Sequence, residues 1–488
     1  MPAEIELKLE VTREAADAFE GSGLLPGKPV KAQQRSIYFD MPDHSLSKNG
    51  LSLRIRRSGG KRIQTVKAKA RGGGGGAGLF VRSEWECAVT SDTPILDDTT
   101  PIRALVGDSA DHIAPLFQVR IERRTWLVTE DGASIELVID RGVVEAGDRT
   151  AAICEIELEL KNGEPAALFA LARRIDAVAP VRLGVISKAE RGYRLLAALS
   201  EAAGAEPVSL SGGMSIADAF RQIIQACMRQ FRLNEEVLLQ KRRPEALHQA
   251  RVALRRARSA FSIFKRIVSG EKGDGVREEL GWLASQLGDA RNLDVLLERA
   301  ESGTLHDGIA AASTAAYDRV EGVLASARAR ALMLDLAEWA ATGDWLNARG
   351  AETDRRQLAR TFAITALDRL RRKVKRGGRH LAGADDRARH ELRKNAKKLR
   401  YASMFFVTLF EDEHKKRRYK RFVALLDKLQ DELGTLNDLA MTPKVLEKFD
   451  LGAVADAQSL FEGGAKKVAL EAAVDAYAAL IDSRRFWR

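Results

Sequence analysis

Cysteine is nearly missing from this chain, and the three present, Cys87, Cys154 and Cys227, are odd in number, far apart and without metal-type spacing. That excludes a disulfide framework and a thiolate zinc site, and the three read as small core residues. Histidine is scarce as well: of seven, only His44 and His112 fall in the first 200 residues, so no imidazole base is expected there. No stretch approaches the roughly 20 apolar residues of a membrane span. The opening MPAEIELK has no apolar run behind a basic patch, so no signal peptide is expected and the chain reads as cytosolic.

Charge, by contrast, is plentiful, at 30% of residues beside 45% hydrophobic, enough apolar content for more than one core. It is unevenly spread. Residues 1–213 hold 28 Lys and Arg against 30 Asp and Glu, so of a net +11 the remainder, 214–488, carries +13. A basic second half implies a polyanionic partner: nucleic acid, an acidic membrane surface or polyphosphate. The pattern divides at the same point. Up to about residue 198, short alternating runs such as SLRIRR, QTVKAK, RSEWECAV, SIELVID and ICEIELEL read as an antiparallel sheet. After SLSGGMS, long Ala/Leu/Arg segments take helical spacing, so the boundary belongs in 200–215. RGGGGGAG at 71–78 reads as a hairpin loop.

In EIELKLE, residues 4–10, Glu4, Glu6, Lys8 and Glu10 share one strand face and Ile5, Leu7 and Leu9 the other. EIELE repeats this with Glu155, Glu157 and Glu159; Arg54 with Arg56, Lys67 with Lys69, and Arg82 with Glu84 and Glu86 also share faces. Aliphatic faces turned to solvent would make the sheet insoluble, so they must pack on helices or loops outside it. The ionic faces then meet one another, giving a sheet closed into a barrel with a polar bore. Glu pairs at i, i+2 suit a hard divalent cation, and the Lys and Arg set suits phosphate oxygens, so a linear oligophosphate fits both. Cross-strand ion pairing of purely structural purpose accounts for the same residues equally well at this point.

EIELKLE, IYFDMPDHSLSKNGLSLRIRR, QTVKAK, RSEWE, ICEIELELKNG and SKAERGY, in that order, resemble the CYTH superfamily, the triphosphate tunnel metalloenzymes, over residues 1–200. The resemblance implies an antiparallel tunnel that binds a triphosphate together with Mg²⁺ or Mn²⁺. Family activities include inorganic, thiamine and RNA triphosphatases and class IV adenylyl cyclases; the expected one is hydrolysis of tripolyphosphate. It assigns Glu4 and Glu6 to one metal position and Glu155 and Glu157, with Glu159, to another. Lys8, Arg54, Arg56, Lys67, Arg123 and Lys188 match the positions that grip phosphate, and Glu155, Glu157 and Lys8 are expected at the reacting group.

The second half is duplicated. HQARVALRRARSAF at 248–261 and HELRKNAKKLRYAS at 390–403 both follow a His with basic residues at +3, +7, +8 and +10. On a helix His248, Arg251, Arg255 and Arg258 form one stripe, which His390, Arg393, Lys397 and Arg400 repeat. QLGDARNLDV at 286–295 corresponds to ELGTLNDLAM at 432–441. Like charges at i, i+4 repel by a few tenths of a kcal/mol per pair, so a twice-kept stripe suggests an anion against it. These segments resemble the CHAD domain, the conserved histidine α-helical domain, over 214–488. That resemblance implies long-chain inorganic polyphosphate bound by those eight residues, with polyphosphate granules as a location. Aromatics are not interleaved with the stripe, which makes single-stranded nucleic acid a less attractive partner, and no membrane partner is expected. The expected architecture is therefore multidomain, an α+β part and an all-α part. An antiparallel β-barrel tunnel occupies 1–200, a linker 201–213 and a duplicated α-helical bundle 214–488.

Overall fold

The computed structural model describes residues 4–69, 79–197, 201–348, 350, 352–410, 412–454, 457–461 and 465–488; the glycine run at 72–76 lies outside them. Contacts divide the chain into two compact units, 1–201 together with 327–343, and 202–326 together with 344–488. The division into 1–200, 201–213 and 214–488 drawn from composition contains no such exchange.

The first unit is built on nine strands: β1 (Glu4–Val11), β2 (Val30–Asp40), β3 (Leu51–Ser58), β4 (Lys61–Lys69), β5 (Leu79–Ala88), β6 (Ala114–Glu130), β7 (Ala133–Ala146), β8 (Arg149–Asn162) and β9 (Val181–Leu183). Their order is β5-β4-β3-β2-β6-β7-β8-β1-β9, and β5 also pairs with β1. The first half of β1 takes β5 as its neighbour (Glu4 opposite Arg82) and the second half takes β9 (Leu9 opposite Leu183). Eight strands thus close into an antiparallel barrel, as the ionic-face argument requires.

The aliphatic faces point outward and are covered. Leu7, Leu9, Ile156 and Leu158 are fully buried, as are Leu168, Phe169 and Ile175 of the helix Ala166–Val178, which packs on β1 and β8. Leu53, Ile55 and Val66 form a second outer cluster with Phe39, Leu46 and Ile102. The helix Ala327–Thr342 completes this unit, packing on Ala166–Val178 and β9. Arg330 Nε bonds Asp176 Oδ1 at 2.6 Å, and Arg173 Nη2 bonds Asp335 Oδ1 at 2.7 Å.

The second unit is helical. Pro244 opens the helix Pro244–Ile263 at a position where its missing N–H costs nothing, and Asp385 caps Asp386–Phe406 by accepting from Ala388 N. These are the helices of the two repeated His and basic stripes, and they pack together. Glu413–Lys448 lies along the second of them, and Phe220, Phe261, Phe264, Phe362 and Phe406 form an aromatic core. Among the described residues no helix is long and apolar enough to cross a membrane.

Candidate functional site

The barrel encloses a cavity of about 570 Å³. Alternation on each strand decides what enters it. β1 turns Glu4, Glu6 and Lys8 inward, and β8 runs antiparallel with Glu159 opposite Glu6 and Glu157 opposite Lys8. Arg54 and Arg56 enter from β3, Lys67 from β4 and Arg123 from β6. The helix Lys188–Leu196, capped by Ser187, brings Lys188 in from outside the sheet. Ile63, Val138 and Ala189 are the only aliphatic side chains among the described residues lining the cavity.

The ions are arranged in layers. Deepest lie Lys8, Lys188, Asp140 and Glu155, each under a tenth exposed. Lys8 Nζ meets Glu155 at 2.9 Å and Glu6 at 3.2 Å, and contacts Glu157. Lys188 Nζ meets Asp140 at 2.6 Å and Glu157 at 2.8 Å, and contacts Glu155. Arg123 makes a two-point pair with Asp140 at 2.8 and 2.6 Å and reaches Glu157 at 2.8 Å. Burial works against the charge on Lys8 and Lys188, but the surrounding carboxylates more than offset it and hold both well above an ordinary lysine. Glu157 is the converse: burial favours its neutral form, yet Lys188, Lys8 and Arg123 keep it ionised far below the usual carboxylate range.

Nearer the open space, Lys67 bonds Glu4 at 2.9 Å and Glu84 at 3.2 Å. Lys161 bonds Glu159 at 2.7 Å, while burial, with Glu4 and Glu136 nearby, raises the Glu159 pKa. Arg54 differs from these. It has no carboxylate within ion-pair distance among the described residues, its Nε is buried without a hydrogen-bond partner, and its one polar contact is Tyr38 Oη at 3.5 Å. Burial works against its charge, Tyr38 and Glu84 more than offset that, and the charged guanidinium faces the cavity, where it suits an anion.

All eleven positions assigned to the tunnel therefore converge, with one distinction of depth. Glu4, Glu6, Glu157 and Glu159 line the cavity, whereas Glu155 lies behind Lys8 and Lys188. Asp140 was not anticipated. It faces Glu155 across the β7–β8 ladder and Arg123 across β6–β7, and its carboxylate on the inward parity of SIELVID was the available signal. The donor set is of the kind that could hold a divalent cation, and Lys8, Lys188 and Arg123 engage every oxygen of Asp140, Glu155 and Glu157 except Glu155 Oε2. Asp140, Glu155 and Glu157 can each bring an oxygen within 4.8 Å of the others, Glu155 Oε2 is buried with no hydrogen-bond partner, and every donor is hard oxygen.

In the helical unit a second cavity, about 560 Å³, gathers His248, Arg251, Arg255, His390, Arg393 and Lys397. Arg258 and Arg400 do not line it; Arg400 pairs with Asp427 instead. Arg291, Asn437 and Asp438 line it without having been anticipated, and His390 Nδ1 sits 3.1 Å from Asn437 Oδ1. Burial, then Arg393 and Arg255, pushes the Lys397 ammonium down to about 7, with Arg251 adding to the effect and Asp438 opposing it. Burial, then Arg291 and Arg255, lowers the pKa of His248. The cavity is thus cationic beyond what its own carboxylates balance.

Comparison with known proteins finds the CYTH domain at residues 2–193 and the CHAD domain at residues 222–447. An inorganic triphosphatase of Haemophilus influenzae is 30% identical over 167 residues, which is 33% of this chain and 45% of that protein; the match thus spans about half the relative's length. Among solved structures, the CHAD domain of the plant Ricinus communis is 26% identical, covering 58% of this chain and 97% of that one with a TM-score of 0.49. A putative adenylyl cyclase from Hippeastrum, described as having a dominant triphosphatase activity, is 20% identical, covering 39% and 95% with a TM-score of 0.31.

Proposed function

This chain belongs to the CYTH family in its first part and the CHAD family in its second, and from that premise we propose a metal-dependent inorganic triphosphatase whose helical unit binds polyphosphate. The observation that carries the reading is Arg54: a guanidinium with a buried, unpartnered Nε, facing a cavity whose other walls alternate Lys and Arg with carboxylates. A linear triphosphate supplies the missing negative charge and needs no apolar slot, which suits walls with so few aliphatic side chains.

In this reading Arg54, Arg56, Lys67 and Arg123 hold the phosphate oxygens, and Lys8 and Lys188 stabilise charge growing on the leaving pyrophosphate. Glu157 accepts a hydrogen bond from the attacking water and orients it; its low pKa suits it to that task better than to keeping the proton, which leaves on the phosphate products as the P–O bond to pyrophosphate breaks. Glu4, Glu6, Glu157 and Glu159, backed by Asp140 and Glu155, would hold Mg²⁺ or Mn²⁺, which when bound neutralises phosphate oxygens and lowers the barrier to in-line attack. In the helical unit, His248, Arg251, Arg255, His390, Arg393 and Lys397 hold the longer polymer through its phosphates.

Full-length protein given tripolyphosphate and Mg²⁺ should release orthophosphate, and a chelator should stop it. Absence of release with several divalent metals, or release undiminished in Glu4→Ala and Lys8→Ala, overturns the enzymatic reading. Arg255→Glu combined with Lys397→Glu should abolish retention of long polyphosphate by the full chain; unchanged affinity rejects the groove.

A further inference from the structure

Lys188 comes from a helix rather than from a strand, so the ladder does not fix its position. Something else must seat that helix. Arg149 Nη1 donates to Leu195 O and Ala197 O at 2.8 Å at its far end, and three further contacts seat it around Gly192 and Tyr193; of the residues making those three, Tyr38, beneath one of them, lines the cavity.

The first is Tyr193, whose hydroxyl donates to Asp40 Oδ2 at 2.6 Å. Asp40 is fully buried at the end of β2. Its Oδ1 accepts from Met41 N at 2.7 Å and Leu46 N at 2.8 Å, and its Oδ2 also accepts from Ser47 N at 3.0 Å. A carboxylate held by three backbone amides is a fixed point, and burial together with Asp40 raises the Tyr193 pKa, so the phenol remains a donor. The second is Gly192. A Cβ there would stand 2.2 Å from Phe117 Cε2, so the helix backbone lies flat on that ring and no larger residue fits. The third is Phe117 itself, stacked on Tyr38 at 4.8 Å and edge-on to Tyr193 at 5.2 Å. Tyr38 is the residue whose hydroxyl approaches Arg54.

We propose that Asp40, Gly192 and Tyr193 are positioning residues for the reaction: they latch the Lys188–Leu196 helix to β2 and β6 so that the Lys188 ammonium meets Glu157 and the substrate. This rests on the triphosphatase reading, in which Lys188 acts on phosphate. The lever is short. From Gly192 to the Lys188 ammonium is roughly 10 Å, so a tilt of about 10° shifts that nitrogen by roughly 2 Å, enough to break contacts of hydrogen-bond length.

A double-mutant cycle separates a latch from ordinary packing. Tyr193→Phe removes only the hydroxyl and should lower kcat/KM for tripolyphosphate about tenfold, mostly through kcat. In a Lys188→Met background the same change should lower it less than about twofold, because the group being positioned is gone. Equal losses in both backgrounds, or no loss in the parent, overturn the latch. Should Lys188→Met fail to fold, a crystal structure of Tyr193→Phe serves: a displaced Lys188 ammonium supports the proposal and an unmoved one refutes it. A parent protein that binds tripolyphosphate without cleaving it sinks the triphosphatase reading alone, and the cycle is then run on calorimetric affinity with the same criteria. A parent that does not bind tripolyphosphate overturns both.

Discussion

Polyphosphate binding to the helical cavity should take up a proton, and Lys397 sets the size of the effect. With the cavity free, burial and the neighbouring guanidinium groups of Arg393, Arg255 and Arg251 push its pKa down to about 7, against an opposing pull from Asp438. An anion restores the charged form. At pH 6 the ammonium is already mostly present and little proton is taken up, whereas at pH 9 only about 1% of free cavities carry it. Affinity should therefore fall about 100-fold from pH 6 to pH 9 through this group alone, about 2.7 kcal/mol at 1.36 kcal/mol per decade. His248, its pKa lowered, adds to the fall only at the acid end. The assay is calorimetry at pH 8 in two buffers of different ionisation enthalpy, with chains long enough that terminal phosphates contribute little. Uptake near 0.9 proton per site is expected. In Lys397→Arg the charge is permanent, so uptake should vanish and the pH dependence flatten above pH 7. No uptake in the parent protein, or the same uptake in the arginine variant, refutes the reasoning.

Asp140→Asn leaves Arg123 and Lys188 with one fewer counter-charge in a buried setting, and should cost about 3–5 kcal/mol in a urea unfolding series. The same carboxylate, held below its ordinary pKa against burial by Lys188 and Arg123, contributes stability present above the unfolded-state value and lost as pH falls through the folded one. Thermal midpoints should accordingly drop on the acid side of pH 4 less steeply in Asp140→Asn than in the parent. Arg54→Met should raise KM for tripolyphosphate at least tenfold while leaving the unfolding midpoint nearly unchanged, since it has no carboxylate partner to strand; an unaltered KM removes the main support for the anion site. Arg400→Ala should leave polyphosphate affinity within about twofold, because its guanidinium is engaged by Asp427, in contrast to Arg255→Ala.

The tunnel was legible in the sequence because period-two alternation carries both its walls and its covering: Glu4, Glu6 and Lys8 could face inward only if Leu7 and Leu9 were covered outside. Depth was not legible. Glu155 and Glu157 share a parity, and only the Lys8 and Lys188 ammonium groups decide that one lies behind and the other faces the cavity. Asp140 escaped notice because SIELVID carries a mixed inward face, Glu136, Val138 and Asp140, rather than an unbroken run of charge. In the helical half, i, i+3 and i, i+7 spacing found the facing stripes, but a stripe wider than the cavity must end somewhere. Arg258 and Arg400, ten residues beyond each histidine, lie past that edge. Arg291, Asn437 and Asp438 come from a different pair of helices and bear no local relation to the histidines.

The Ala327–Thr342 helix belongs with the strands, though more than a hundred residues of the other unit precede it along the chain. On a ribosome that emits the chain from its N-terminus, β1 to β9 would all be out while Asp176 still awaits Arg330. The barrel unit, first to begin, would stay unfinished until residue 343 is out, and a protease cut or stop codon near residue 201 would yield an N-terminal fragment with an apolar flank uncovered.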